Sequence, residues 1–217
     1  MTIRRYGDER ASYALVQPVD GDSVARIEEE IADIKKANRK SFLLLAVVVD
    51  DWNRDLSPWP APAVFANADF GGGAKETLAF IEKQCTDRSK RYIIGGYSLA
   101  GLFALWAACR TDIFCGVAAA SPSVWFPGFA DDIAQHKMRC PVVCLSLGDR
   151  EARTRNRIMA TVADRIVQCQ KIWSAQNVLC TLKWNPGNHF RDTSLRSAEV
   201  FARALQTISC SSSVMPT

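Results

Sequence analysis

Ser98 is the residue whose surroundings in the sequence speak most directly of chemistry. It follows the apolar run Tyr92-Ile93-Ile94 and two glycines, Gly95 and Gly96. It precedes Leu99-Ala100-Gly101-Leu102-Phe103-Ala104-Leu105-Trp106-Ala107-Ala108-Cys109. The order predicts a strand, a tight turn and a buried helix, with the serine at the turn. A serine hydroxyl is a weak nucleophile unless it is exposed, beside a base and near donors that can hold a developing oxyanion. A sharp strand-to-helix turn meets those needs by pushing the side chain beyond the sheet and aiming the first helical N–H groups at it. Small residues at Gly96 and Ala100 fit such a turn, and the pattern is G-x-S-x-G with alanine in the last place.

A base and an orienting acid are then required. The chain has 2 histidines. His136, in Gln135-His136-Lys137-Met138, comes before a strand and is expected on the surface at the amino end of the sheet. His189 follows the last strand, in Asn185-Pro186-Gly187-Asn188-His189-Phe190, and so belongs to the carboxyl end with Ser98. The acid should follow the strand between them, where Gly148-Asp149-Arg150-Glu151 offers two candidates. Glu151 is preferred for its longer arm. Asp149, closer to the glycine, is the alternative and is suited to capping the turn.

The elements that must position these residues alternate. Strands are expected at 13–19, 41–49, about 91–94, 114–120, 140–148 and 177–183. Val24, Ile27, Ile31 and Ile34 recur at helical spacing up to about Lys36, with Asp22 or Ser23 as the N-cap. Helices are also expected at 74–84, across Ile158 to Trp173 and across Leu195 to Ile208. The stretch from Trp52 to Pro60, with its tryptophans and prolines, reads as an irregular loop, either packing or pocket wall. Gly71-Gly72-Gly73 lacks the Lys and Ser/Thr of a phosphate loop and reads as a turn. The alternation implies an α/β class, a mostly parallel sheet of about six strands with helices on both faces and no large lid. Sites in such sheets lie at the carboxyl ends of the strands.

Composition narrows the rest. The 217 residues are 48% hydrophobic and 23% charged, with a net charge of +4, as expected of one domain spanning 1–217 with a frayed Ser-rich tail at 209–217. That charge is too small to suggest nucleic acid, and no apolar run nears the roughly 20 residues of a membrane span. The 8 cysteines form no C-x-x-C pair and sit mostly in apolar runs. Together with an amino terminus lacking signal-peptide character, they point to buried reduced thiols and a cytoplasmic location. No metal or other cofactor is expected. Arg150, Arg153, Arg155 and Arg157 read as a solvated face.

Two stretches, Gly96-Tyr97-Ser98-Leu99-Ala100-Gly101-Leu102-Phe103-Ala104 and Phe114-Cys115-Gly116-Val117-Ala118-Ala119-Ala120-Ser121-Pro122-Ser123-Val124-Trp125, resemble an esterase family of the α/β-hydrolases. That family includes esterase D-like and enterochelin-esterase-like enzymes. Asn53-Arg54-Asp55-Leu56-Ser57-Pro58 is similar to the R-D-x-[ST]-P loop of the enterochelin-esterase branch, and Gly148-Asp149-Arg150-Glu151 to its acid loop. The resemblance covers roughly residues 12 to 205, and it implies a metal-free serine hydrolase acting on a small-molecule ester. The order Ser98, Glu151, His189 is the order of nucleophile, acid and base in that fold. The fold further implies oxyanion donors at Leu99 and Gly21, with Trp52 as the substitute for Gly21. Tyr97, Trp52 and Trp125 are candidate pocket residues. A thioesterase or acyltransferase using the same residues, or an idle binding protein on the same fold, are the alternatives.

Overall fold

Leucine, valine and alanine fill every position from 43 to 48, so both faces of that segment need apolar cover. The computed structural model, which describes residues 1–65 and 67–211 with side chains through 208, supplies it. In chain order the elements are β1 (Thr2–Gly7), β2 (Tyr13–Val19), α1 (Gly21–Ala25), α2 (Ile27–Ala37), β3 (Leu43–Val48), α3 (Trp52–Leu56), β4 (Pro60–Ala61) and β5 (Phe70–Gly71). There follow α4 (Ala74–Gln84), β6 (Arg91–Tyr97), α5 (Leu99–Ala107), β7 (Phe114–Ala120), α6 (Phe129–Gln135), β8 (Val142–Gly148), α7 (Val162–Ala175), β9 (Leu179–Asn185) and α8 (Thr193–Ser211).

Seven strands form one sheet in the order β1-β3-β2-β6-β7-β8-β9, and β4 pairs only with β5. All pairings in the large sheet are parallel except β1 with β3. Strand alternation sorts the core. Leu43, Leu45 and Val47 join the cluster that buries α3 to α7, while Leu44 and Ala46 join the one that buries α2 and α8. Helix α5 is buried over its whole length, which matches the unbroken apolar run after Ser98.

The extra strand is β1, which brings the sheet to seven rather than about six. Its sequence, TIRRYG, has only two large apolar residues, and it is mostly exposed at the sheet edge. Ile3 packs on one face and Tyr6 on the other. The helix expected from Val24 to Lys36 is broken at Arg26 into α1 and α2. Its N-cap is Asp20 rather than Asp22 or Ser23, because the Asp20 carboxylate accepts from Ser23 N at 2.7 Å.

The stretch after Asp51 is not wholly irregular. Asp51 caps α3 by accepting from Arg54 N at 2.8 Å, and the prolines at 58 and 60 fall beyond its last residue, where they cannot clash with it. The long helix expected from Ile158 starts later, at Val162, after a single 3-10 turn over Met159–Thr161. At the other end α8 continues through Ser211, past the expected start of the tail, and positions 212–217 lie outside the described residues. The carboxyl ends of β2, β6, β8 and β9 all open on one edge of the sheet. Among the described residues no helix is long and apolar enough to cross a membrane.

Candidate active site

At the end of β6 the backbone must reverse into α5 within one residue. Ser98 makes that turn with φ 58° and ψ −118°, a region costly for a residue with a side chain, by about 1–3 kcal/mol. Strain of that kind survives only where the surroundings over-determine it, and a Cβ on Gly96 would come within 2.7 Å of the Ala100 Cβ. Those two positions must therefore stay small. The hydroxyl is thereby held beyond the sheet, where Leu99 N–H opens α5 with no intrahelical acceptor.

His189 reaches Ser98 from the loop after β9. Its Nε2 is 3.0 Å from Ser98 Oγ, and its Nδ1 is 2.8 Å from Glu151 Oε2. A carboxylate can only accept, so the network assigns the proton to Nδ1 and leaves Nε2 free to receive the serine proton. The histidine's backbone is fixed as well, since Tyr97 Oη donates to the His189 carbonyl at 2.6 Å.

Glu151 is buried, yet both its oxygens are occupied. Oε1 accepts from Ser121 Oγ at 2.6 Å, from Gly148 N at 2.7 Å and from Arg196 Nη1 at 3.2 Å. Burial opposes ionisation, but the hydrogen bonds from His189, Ser121 and the Gly148 N–H outweigh it and hold the carboxyl below the usual glutamate range. Glycine is needed at 148, because a Cβ there would meet the Gly187 carbonyl oxygen at 2.4 Å. Asp149 does not touch the imidazole; its Oδ1 accepts from Gly187 N at 2.7 Å and ties down the histidine loop.

The chain has the α/β-hydrolase fold. The sequence matches no family model and no curated protein sequence, but solved structures share its architecture. Siderophore hydrolase EstA from Aspergillus nidulans superposes with a TM-score of 0.65 at 20% identity, over 96% of this chain and 90% of that one. Siderophore hydrolase EstB from the same organism gives 0.64 at 16% identity, over 92% and 88%. The enterobactin esterase FES from Shigella flexneri gives 0.61 at 13% identity; 95% of this chain matches 55% of that larger one.

The remaining candidates of this α/β-hydrolase fold divide. Tyr97 and Trp52 line a cavity of about 230 Å³ together with Ser98 and His189. Val19 and Asp20 also line it, and the exposed Gly21 follows them as the first residue of α1. Trp125 does not line it. The turn at Ser121-Pro122-Ser123 carries the indole away, into edge-on contact with Phe65 and tilted contact with Phe70, with ring centroids 6.0 and 6.3 Å apart. There it borders a separate cleft with Phe126 and Arg157. Packing against other rings buries the indole more completely than a solvated pocket mouth could.

His136 is exposed and pairs with Asp132 at 3.2 Å. The seven cysteines whose side chains are described carry free thiols, and burial pushes those of Cys85, Cys109, Cys140, Cys169 and Cys180 up to about 12. The arginines at 150, 153, 155 and 157 are exposed.

Sequence reasoning passes over Arg196 entirely. It lies on α8, buried, and its guanidinium also donates to the carbonyls of Asn188 and Pro186, each at 2.9 Å. It thus binds the acid and the histidine loop at once. No sequence signal marks it: two residues before Ala198, it falls on the opposite side of α8 from the apolar face of Ala198, Phe201 and Leu205. Ser121 and Ser123 are likewise missed as contributors; Ser123 Oγ lies 3.2 Å from Ser98 Oγ.

Proposed function

We propose that this chain is a serine hydrolase of small soluble esters, working through an acyl-enzyme on Ser98. The observation that carries the reading is the continuous hydrogen-bonded line from Ser98 Oγ through His189 to Glu151, at 3.0 and 2.8 Å. In the first step His189 Nε2 takes the Ser98 proton as Oγ attacks the ester carbonyl, and Glu151 steadies the imidazolium that forms. The resulting oxyanion is received by the N–H of Leu99 and that of Gly21, or of Trp52 in its place, each contributing about 3 kcal/mol in the transition state. His189 then hands its proton to the leaving alcohol. A water, deprotonated by the same nitrogen, attacks the acyl-serine and frees the acid. No cofactor takes part in these steps.

The esterase and siderophore-hydrolase names of the structural neighbours fit an ester-cleaving role. The test is turnover of a short p-nitrophenyl ester together with labelling by a fluorophosphonate probe. Wild type should do both, and Ser98→Ala should lose the probe and roughly 10⁶-fold in kcat. Wild-type protein that neither turns over such esters nor takes the probe would end the reading. Hydrolysis of acyl-CoA, or transfer to an added alcohol, in preference to ester hydrolysis would move it to a thioesterase or acyltransferase.

A further inference from the structure

The cavity beside Ser98 carries more polar chemistry than the relay uses. Ser23, Thr193 and Ser197 form part of its wall, and so do Gln17 on β2 and Glu30 on α2. The last two are only 4% and 6% exposed. Gln17 Nε2 donates to Glu30 Oε2 at 3.3 Å. That leaves Gln17 Oε1 and Glu30 Oε1 buried, with no hydrogen-bond partner among the described residues. Orphaned acceptors destabilise a native structure and are rare in one, so two on neighbouring side chains of a site cavity call for a reason.

The surroundings say what kind of group would satisfy them. Among the described residues no cation pairs with Glu30, and burial pushes its carboxyl up to about 8. At neutral pH it is mainly the uncharged acid, with an O–H to offer as well as a lone pair. Gln17 Oε1 can only accept. An alkyl end would leave both oxygens unpaired. A carboxylate would meet acceptors and the nearby Asp20, and an ammonium would have to share the wall with Arg26.

We propose that Gln17 and Glu30 form the recognition end of this cavity and bind a carboxamide carried on one arm of the ester. An amide N–H donates to Gln17 Oε1, and the amide carbonyl accepts the proton that the neutral Glu30 carries on Oε1. This names the substrate class of the site and rests on Ser98 being its ester-cleaving nucleophile.

Two isosteric pairs test it, one for each arm. Ethyl succinamate against ethyl levulinate, and acetoxyacetamide against acetoxyacetone, each exchange an amide NH₂ for a methyl and keep every carbonyl. Wild type should favour the amide in one pair by about tenfold or more in kcat/KM, read by pH-stat, because a site built to hydrogen-bond a group discriminates against the analogue lacking it. Gln17→Leu should bring that ratio close to one, and Glu30→Gln, whose NH₂ still donates to the carbonyl common to both members of a pair, should retain most of it. Ratios near or below one in both pairs for wild type would overturn the proposal, as would a preference that survives Gln17→Leu. Should that variant not fold, the wild-type ratios decide. A separate readout needs no turnover: Ser98→Ala protein should show a thermal shift with succinamide but not with hexane-2,5-dione. If wild type cleaves no ester, the catalytic reading falls, and the thermal-shift pair still judges the binding site alone.

Discussion

Replacing Arg196 by methionine tests whether the site is held together through one buried side chain. The side chain is 3% exposed, and its partner Glu151 4%. Breaking a buried, hydrogen-bonded ion pair from one side costs about 3–5 kcal/mol, because the remaining charge stays buried. Methionine fills the volume but satisfies none of the carbonyls of Asn188 and Pro186 or the carboxylate. With a typical total stability of about 5–15 kcal/mol and a urea slope of about 2–3 kcal/mol/M for a chain of this size, the midpoint should fall by roughly 1.5 M. Activity should fall by about 100-fold, the loss expected when a catalytic group is misplaced by about an ångström.

A structural role alone would produce the first effect, so the pH profile decides. Glu151 is held below its usual range in the native protein, so its contribution is complete above the ordinary glutamate value near 4.5 and is lost as pH falls through the depressed one. Removing the guanidinium favours the protonated acid. The acid limb of kcat/KM should therefore move to higher pH in Arg196→Met, and Arg196→Lys should return it toward the wild-type position while recovering only part of the stability. An acid limb that stays in place, with kcat/KM within about threefold of wild type, would refute the positioning role.

Other substitutions separate neighbouring groups. Glu151→Gln should lower kcat by about 10⁴-fold, the scale expected when the orienting carboxylate is lost, whereas Asp149→Ala should stay within about tenfold because it ties the loop without touching the ring; equal losses in an ester assay would contradict the geometry. Glu30→Gln should alter the pH dependence of folding. The native state keeps a proton that the unfolded chain releases between about 4.5 and 8, so wild-type stability falls across that window. The slope is about 1.4 kcal/mol per pH unit and the total at most about 5 kcal/mol. Urea midpoints measured from pH 5 to 8 should diverge in favour of the variant, and a constant gap would show that Glu30 ionises normally in the fold.

What the sequence makes legible follows from how strongly the core constrains each element. Strands such as β2 and β3 are buried on both faces, so their composition alone marks them and their helical cover. Edge strand β1 is mostly solvent-facing, and Thr2–Gly7 carries no run to distinguish it from a loop. Breaks are harder still: nothing in the periodicity of Val24 to Ile34 reveals that the helix stops and restarts at Arg26. The tryptophan and proline content of 52–60 conceals α3, because capping by Asp51 and the placement of both prolines beyond the last turn are local details that composition averages away.

The site divides along the same line. Ser98, Glu151 and His189 can be found one by one because each lies within a few residues of the carboxyl end of a strand, and strand ends are what an α/β pattern fixes. Trp125 goes astray because the sequence puts it after the right strand, while its orientation depends on the turn at Pro122 and on rings contributed by residues 65 and 70. Arg196, Gln17 and Glu30 belong to a third kind: polar side chains inside helices and strands, invisible to motif reasoning because their neighbours in sequence are ordinary. Their meaning lies in which buried atoms they satisfy and which they leave unpaired. Arg196 spends both terminal nitrogens on partners within the protein, which points to holding the apparatus. Gln17 and Glu30 have one oxygen each to spare, which points outward to a ligand. The same accounting of buried donors and acceptors thus separates residues that serve the fold of the site from residues that serve what enters it.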